Sequence, residues 1–155
     1  MNKLLIEAIE MLKKRNESIS FAESCTGGRI VAAFTAIAGV SSVLNGSCVT
    51  YSNEIKHKWL DVTTKTLEKF GAVSSECVHE MLTGIQKKSN SDYAIAVSGI
   101  AGPDGGTEEK AVGTVYIGIL CPDKTIVKRY HFKGDREAVQ SAATKVAIML
   151  LRENL

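Results

Sequence analysis

The chain has 155 residues, and its 19 Lys and Arg against 17 Asp and Glu give a formal net charge of only +2. So small a charge argues against the basic surface that nucleic-acid binding requires, while a hydrophobic content of 45% is enough for one ordinary core. We therefore expect a single domain over residues 1–155, with no nucleic acid as a partner.

Charged residues also interrupt the amino-terminal segment, where a leader or an anchor would lie. Lys3 and Glu7 fall inside its apolar pattern, so we expect neither a signal peptide nor a membrane span and place the protein in the cytoplasm. The four cysteines and three histidines show no zinc-site or redox spacing. We expect reduced thiols, no metal and no other cofactor.

The first part of the chain alternates amphipathic helices with short apolar strands. Apolar residues at every third or fourth position predict a helix over residues 2–15, and alternation predicts a strand over 18–22. The apolar segment 30–38 is predicted as a second helix, which Gly39 ends in a left-handed conformation. Residues 46–51 have the composition of a buried strand.

The middle of the chain is predicted to be mainly helical. Asn53 is the expected amino-terminal cap of a short helix, because a side-chain oxygen there can accept a backbone N–H. A further helical segment over residues 64–70 ends at Gly71. A longer helix follows, capped by Ser74 or Ser75.

The last part of the chain predicts three strands and a long helix. Residues 92–98 form the clearest strand, and the strands over 112–120 and 124–132 are joined by a connection too short for a parallel crossover, so they should form a hairpin. Asp135 is the expected cap of the final helix. The pattern predicts an α/β fold, a three-layer α/β/α sandwich with a mixed, mostly parallel sheet.

Three segments have the composition of functional loops, and each also has a purely structural explanation. In segment 22–28, Ser24 and Thr26 precede Gly27 and Gly28 at a predicted helix start, where free backbone N–H groups favour an anion. The two hydroxyls could equally cap the helix while the glycines allow close packing. The segment is neither a P-loop nor a GxSxG elbow.

Tyr51 and Lys56 belong to the second segment, at a predicted strand-to-helix junction. A lysine enclosed by apolar groups can lose its proton and deprotonate a serine, and a nearby tyrosine can relay that proton. Lys56 could instead be a solvated helix charge, and Tyr51 an ordinary core aromatic. Because no histidine lies in a distinctive loop, a Ser–His–Asp triad ranks below a Ser–Lys system.

The third segment is the glycine-rich loop over residues 98–111. Its glycines would let backbone N–H groups approach a ligand, although a surface loop with solvated acidic residues has the same composition. Arg136 follows at the start of the final helix. It could clamp a phosphate or a carboxylate, or be an ordinary surface arginine.

Taken together, these segments resemble the CinA C-terminal domain family. The matching stretches, in chain order, are Ala22–Gly28, Tyr51–Lys56, Gly71–Ser74, Val97–Thr107, Lys110, Val112–Val115 and Gly134–Arg136. They cover essentially the whole chain in one order, which four long motifs would not do by chance, so the functional interpretation of each segment is preferred. The resemblance implies a nicotinamide-nucleotide amidase that hydrolyses nicotinamide mononucleotide to nicotinic acid mononucleotide and ammonia.

The resemblance also implies a role for each matched residue. Ser24 would attack the carboxamide carbon, Lys56 would accept its proton, and Tyr51 would assist the relay or hold Lys56 in place. Arg136 would bind the phosphate of the nucleotide, although the family often has a second arginine where this chain has Gln140. The remaining substrate contacts would come from Thr26, Gly27, Gly28, Ser98, Gly99, Ala101, Gly105, Gly106 and Thr107.

An alternative interpretation, from a different class of function, is that the chain is a catalytically silent nucleotide-binding or regulatory module of the same fold. Binding of the nucleotide without release of ammonia would distinguish it from the enzyme. Small α/β enzymes often form two-fold dimers, so we also expect a homodimer, for which the apolar final helix offers a face.

Overall fold

The chain forms six α-helices and five β-strands in the computed structural model, which describes residues 1–155. The helices are α1 (Asn2–Arg15), α2 (Arg29–Thr35), α3 (Asn53–Leu60), α4 (Thr64–Phe70), α5 (Ser75–Ser89) and α6 (Arg136–Glu153). The strands are β1 (Ile19–Glu23), β2 (Leu44–Val49), β3 (Tyr93–Gly99), β4 (Thr114–Leu120) and β5 (Thr125–His131). This element order confirms the predicted α/β class.

The strands form one mixed sheet in the order β2-β1-β3-β4-β5. β1 pairs in parallel with β2 and β3, whereas β4 pairs antiparallel with both β3 and β5. Only β4 therefore runs against the other strands, and the predicted hairpin of β4 and β5 is confirmed. The carboxyl ends of β1, β2 and β3 lie at one edge of the sheet, which is where open α/β sheets bind ligands.

Helices cover both faces of this sheet, as the three-layer prediction requires. On one face α1, α2 and α6 surround a core that includes Phe21 and Ile95. On the other face α3 and α5 pack around a second core that includes Ala22 and Ala94. Because successive strand residues point to opposite faces, Phe21 and Ala22 belong to different cores.

The predicted helix caps are partly right. Ser74 caps α5 and Gly71 ends α4, as predicted. Gly39 has the predicted positive φ of 79°, but it lies beyond the end of α2 and precedes a short 3₁₀ turn. The cap of α3 is Ser52 and not Asn53, because the Ser52 hydroxyl accepts the backbone N–H of Ile55.

The strand predicted to be buried over residues 46–51 is instead the edge strand β2. It ends at Val49, which is 38% exposed at the margin of the sheet. Tyr51 lies beyond the strand and is 59% exposed. A run of β-branched and aromatic residues has the same pattern in a central strand and in an edge strand, so the sequence could not separate the two. The Tyr51 ring is consequently at the surface and not in a core.

The final helix α6 packs against the sheet of its own chain. Asp135 caps α6 as predicted, by accepting the Ala138 N–H at 2.9 Å. The apolar side of α6, including Val139 and Ala143, is buried against the chain's own sheet. The homodimer therefore stays a prediction without an assigned face. No helix in the structure has the length and the apolarity that crossing a membrane requires.

Candidate active site

Ser24 occupies the loop between β1 and α2, at the carboxyl edge of the sheet. The residue is only 7% exposed and directly follows Glu23, the last residue of β1. Gly27 and Gly28 have φ values of 60° and 95°, which glycine adopts without strain, and they turn the chain into α2. The serine is thus fixed at the point where a central strand stops.

Lys56 points from α3 into the interior, toward Ser24. Its Nζ donates to Ser24 Oγ at 3.0 Å and to the backbone carbonyl of Thr50 at 2.7 Å, and the residue is 1% exposed. None of the four ion pairs in the structure includes Lys56. The structure therefore excludes the solvated-charge interpretation and brings the predicted nucleophile and base together.

Burial changes the acid–base properties of this pair. The loss of hydration lowers the pKa of Lys56 below 10.5, because a buried ammonium is disfavoured relative to the neutral amine. Ionised thiols at Cys77 and Cys25 would oppose this shift. Burial, however, raises the pKa of Cys25 to about 12 and that of Cys77 to about 11, so both thiols are neutral near pH 7. Neither thiol then stabilises the ammonium form of Lys56.

Tyr51 lies at the mouth of the site and bonds to Arg136. Its hydroxyl accepts from Arg136 Nη2 at 2.6 Å, and no hydrogen bond joins it to Lys56 or Ser24. Arg136 Nη1 also donates to the carbonyl of Gly102 at 2.8 Å. In this structure Lys56 is held by the Thr50 carbonyl and not by Tyr51, and the relay role of Tyr51 stays a prediction.

A cavity of about 250 Å³ adjoins the Ser24–Lys56 pair. Its lining comes from the loops after β1, β2 and β3, the segment before α5 and the start of α6. The lining residues are Ser24, Cys25, Tyr51, Lys56, Ala72, Val73, Ser98, Gly99, Ile100, Ala101, Gly102, Asp104, Gly105 and Arg136. The sequence predicted eight of these fourteen residues as site residues, so the three segments do meet in space.

The long loop after β3, residues 100–113, is anchored by cationic side chains that bind backbone carbonyls. Lys110 Nζ reaches from the loop to the Phe70 carbonyl at 2.6 Å, and Arg129 binds the Glu109 carbonyl at 2.7 Å. Ala101 is a residue of the cavity lining, and its N–H donates to no acceptor within the protein.

Five predicted contacts lie outside the cavity. They are Thr26, Gly27, Gly28, Gly106 and Thr107. Thr26 is fully buried, and its hydroxyl donates to Glu23 Oε2 at 2.6 Å. Thr107 closes a turn of the long loop by accepting the Lys110 N–H at 3.0 Å. These two hydroxyls have partners within the protein.

The start of α2, predicted to bind an anion of the substrate, already holds the Glu23 carboxylate. Oε2 accepts the N–H groups of Gly28 and Ile30, both at 3.1 Å, and Oε1 accepts that of Val31 at 2.9 Å. The anion at the start of α2 is therefore the protein's own carboxylate and not a group of a ligand, while the Cys25 N–H of the same segment donates to no acceptor within the protein. The sequence does contain a signal for this contact, namely the acidic Glu23 directly before Ser24, but no role was predicted for it.

Two further contacts at the site had no clear sequence signal. The carbonyl of Thr50, which anchors Lys56, is a backbone group that every residue type has. Gln140 is 7% exposed and donates from Nε2 to the carbonyl of Cys25 at 2.8 Å. The residue that departs from the family's arginine pattern thus ties α6 to the loop of the nucleophile.

The fold and the site together define a three-layer α/β protein with a buried serine–lysine pair at the carboxyl edge of its sheet. The family model described as the CinA C-terminal domain matches residues 1–155. The chain therefore belongs to the CinA C-terminal domain family, which confirms the resemblance found in its motifs.

Curated relatives and solved structures agree with this assignment. A CinA-like protein from Fervidobacterium nodosum is 51% identical over 146 residues, which cover 94% of this chain and 36% of the relative. A CinA-like protein from Thermosipho melanesiensis is 47% identical over 155 residues, covering 97% and 38%. The chain thus spans little more than a third of the length of these relatives.

The solved structures match over nearly their whole length. The competence damage-inducible protein A (ComA) from Klebsiella pneumoniae has a TM-score of 0.95 and 39% identity, over 98% of this chain and 94% of that one. The competence/damage inducible protein CihA from Agrobacterium tumefaciens has a TM-score of 0.95 and 36% identity, over 99% and 95%. These matches confirm the fold.

Proposed function

We propose that the chain is a nicotinamide-nucleotide amidase, which hydrolyses nicotinamide mononucleotide to nicotinic acid mononucleotide and ammonia. The observation that carries the proposal is the buried contact of 3.0 Å between Lys56 Nζ and Ser24 Oγ. A serine is a weak nucleophile unless an adjacent base takes its proton, and a desolvated lysine is a suitable base. The substrate is taken from the activity that the family resemblance implies.

In the first step the neutral amine of Lys56 accepts the proton of the Ser24 hydroxyl, and Oγ forms a bond to the carboxamide carbon. The amine can keep one N–H on the Thr50 carbonyl, observed at 2.7 Å, while its lone pair faces Ser24. This anchor fixes the direction of the lone pair. The carbonyl π electrons move to the oxygen and give a tetrahedral oxyanion.

Backbone N–H groups of the two loops are the proposed donors to this oxyanion. Those of Cys25 and Ala101 belong to residues that line the cavity, and neither donates to an acceptor within the protein. Donors that are already fixed stabilise developing charge without reorganising during the reaction. A nucleophile followed by its own free N–H is a common source of one such donor.

The ammonium of Lys56 then returns its proton to the departing nitrogen. The carbon–nitrogen bond breaks, ammonia leaves, and an ester joins the nicotinoyl group to Ser24. Lys56, neutral again, takes a proton from a water molecule, which attacks the ester and releases the carboxylic acid product and the Ser24 hydroxyl. The same amine thus acts as base and as acid in alternation.

Arg136 is the proposed contact for the nucleotide phosphate. The guanidinium has five N–H donors, and the hydrogen bonds to Gly102 and Tyr51 leave others free. A cavity of about 250 Å³ takes the pyridine ring deep in the site and leaves the phosphate near the mouth, where Arg136 lies. Charge-assisted, bidentate bonds to a phosphate suit an arginine in this position.

The decisive experiment measures ammonia release from nicotinamide mononucleotide by metal-stripped protein, with wild type beside Ser24→Ala. Ser41→Ala is the matched control, because Ser41 is exposed and distant from the cavity. We expect turnover in the wild type and in Ser41→Ala, and its loss in Ser24→Ala. A wild type that binds the nucleotide and releases no ammonia would contradict the proposal and favour a silent binding module.

A further inference from the structure

Glu23 is a buried acidic residue to which the proposed mechanism gives no role. It is 0% exposed, and none of the four ion pairs in the structure includes it. Its two carboxylate oxygens accept four hydrogen bonds, one from the Thr26 hydroxyl and three from the backbone at the start of α2. All four partner groups are hydrogen-bond donors, so the surroundings of Glu23 match an ionised carboxylate, which only accepts hydrogen bonds.

An ordinary helix cap does not account for this arrangement. At α3, α4, α5 and α6 the cap is the residue directly before the helix, and its side chain accepts one backbone N–H. Glu23 instead lies at the end of β1 and reaches across the loop 24–28 to the first turn of α2. It therefore closes that loop into a ring, and the ring contains Ser24.

The backbone of Glu23 also connects to the other member of the pair. Its carbonyl accepts the Thr50 N–H at 2.9 Å, and the Thr50 carbonyl accepts from Lys56 Nζ at 2.7 Å. Lys56 in turn contacts Ser24, the next residue after Glu23. A closed circuit of hydrogen bonds and chain thus runs from Glu23 through Thr50, Lys56 and Ser24 back to Glu23.

We propose that Glu23 is a positioning residue, whose carboxylate holds the loop 24–28 so that Ser24 Oγ stays within hydrogen-bond distance of Lys56 Nζ. The inference rests on the proposed role of Ser24 and Lys56 as nucleophile and base. The carboxylate does not touch the substrate, because the loop residues that bind it, Thr26 and Gly28, lie outside the cavity.

Glu23→Gln is the informative change because it keeps the size of the side chain. The amide nitrogen replaces one acceptor by a donor, so at least one of the four contacts becomes unfavourable. A loosened loop lets Ser24 drift from the lysine, and small misplacements of a reacting group cost up to about 100-fold in rate. We expect the reactivity of Ser24 to fall about tenfold or more, with KM for the substrate little changed.

The test measures the rate at which phenylmethylsulfonyl fluoride modifies Ser24 across a pH series, followed by mass spectrometry of the full chain. This probe needs an activated serine and does not depend on the natural substrate. The control is Thr63→Ala, which removes the cap of α4 and changes no residue of the cavity lining. If Glu23→Gln is poorly folded by circular dichroism, Thr26→Ala, which removes one of the four donors, takes its place with a smaller expected loss.

Slower modification in Glu23→Gln, with Thr63→Ala equal to the wild type, is the expected result. Modification of Glu23→Gln at the wild-type rate overturns the inference. A folded wild type that is not modified at any pH overturns both the inference and the proposed nucleophile. Rapid wild-type modification without ammonia release refutes only the proposed substrate, and the positioning role is then decided by the modification rates alone.

Discussion

Two loops at the same edge of the sheet are held by different groups. The loop 24–28 after β1 folds around a carboxylate, and Glu23 takes up the N–H groups at the start of α2. The loop 100–113 after β3 is held by cations, which bind carbonyls of the loop and of its neighbours. The first loop is thus held mainly around a buried carboxylate, and the second mainly by cationic side chains that bind backbone carbonyls.

This difference determines what each loop contributes to the site. In the loop 24–28, Glu23 occupies the N–H groups at the start of α2, so the loop offers a ligand the Ser24 side chain and the unpaired N–H of Cys25. In the loop 100–113, the N–H of Ala101, a residue of the cavity lining, donates to no acceptor within the protein. The first loop is therefore suited to present a nucleophile, and both loops keep an N–H group that can bind a negative charge.

The largest effect is expected at Lys56, which reaches from α3 to the loop 24–28. Lys56→Arg keeps a positive charge, but a guanidinium does not release its proton and cannot serve as base. We expect ammonia release to fall about 100-fold to 10,000-fold, the usual contribution of a general base. Lys58→Arg, on the exposed side of the same helix, should keep wild-type turnover. Turnover within a few-fold of wild type in Lys56→Arg would refute the assignment of the base.

The pH dependence of kcat/KM in the wild type tests the same role of Lys56 as base. Because burial lowers the pKa of Lys56, kcat/KM should rise with pH through a limb that lies below pH 10.5. Below this limb the rate should fall about tenfold for each pH unit, since only the neutral amine acts as base. A pH profile of ammonia release checks this, and a limb centred at or above 10.5 would contradict a desolvated lysine.

Stability should follow the same titration. Between the lowered pKa of Lys56 and 10.5 the unfolded chain binds a proton that the folded protein does not, so the free energy of unfolding rises with pH in that window. Below the lowered pKa both states are protonated and this dependence disappears. Urea titrations at a series of pH values give the free energy of unfolding of the wild type and of Lys56→Met. Plotted against pH, the two free energies should differ in slope only inside the window, and parallel plots would argue against the lowered pKa.

A smaller effect is expected at the mouth, where Arg136 binds the second loop. Arg136→Gln removes the charged contact to Gly102 and Tyr51 together with the proposed phosphate contact. We expect KM for nicotinamide mononucleotide to rise about tenfold, in line with the loss of one charge-assisted contact, and kcat to change less. Arg152→Gln, which lies at the far end of α6, is the control. An unchanged KM would remove Arg136 from substrate binding.

The smallest effect is expected from Lys110, which fastens the second loop at a distance from Ser24. Lys110→Met removes the bond to the Phe70 carbonyl while four other side-chain contacts to the loop remain. Turnover should fall about two- to threefold, and hydrogen exchange of the loop should become faster. Lys65→Met, an exposed lysine on α4, should change neither quantity. Equal exchange in the two variants would show that the cation does not hold the loop.

The sequence predicted those features that a local pattern or a long motif specifies. Helix and strand periodicity predicted the α/β layers, and capping side chains predicted the helix starts at Ser74 and Asp135. The short connection between β4 and β5 predicted their hairpin. The family motifs placed Ser24 and Lys56 in one site, although spacing alone favoured a solvated lysine. These predictions succeeded because each rests on neighbouring residues along the chain and not on contacts between distant segments.

The remaining features depend on which groups meet in three dimensions. Tyr51 matches its motif, but its hydroxyl partner is Arg136, which lies far along the chain. Glu23 was passed over, since an acidic residue at a strand end can be solvated as well as buried. An anion does occupy the start of α2, but it is the chain's own Glu23 carboxylate and not a group of the substrate. A sequence alone cannot show that one of its own side chains fills such a site.

The contacts made by α6 bear on how the protein matures. Gln140 holds the Cys25 carbonyl and Arg136 closes the mouth, yet both residues follow Ser24 and Lys56 in the order of synthesis. The surroundings of Ser24 are therefore complete only after α6, the last helix to be synthesised, has docked on the sheet.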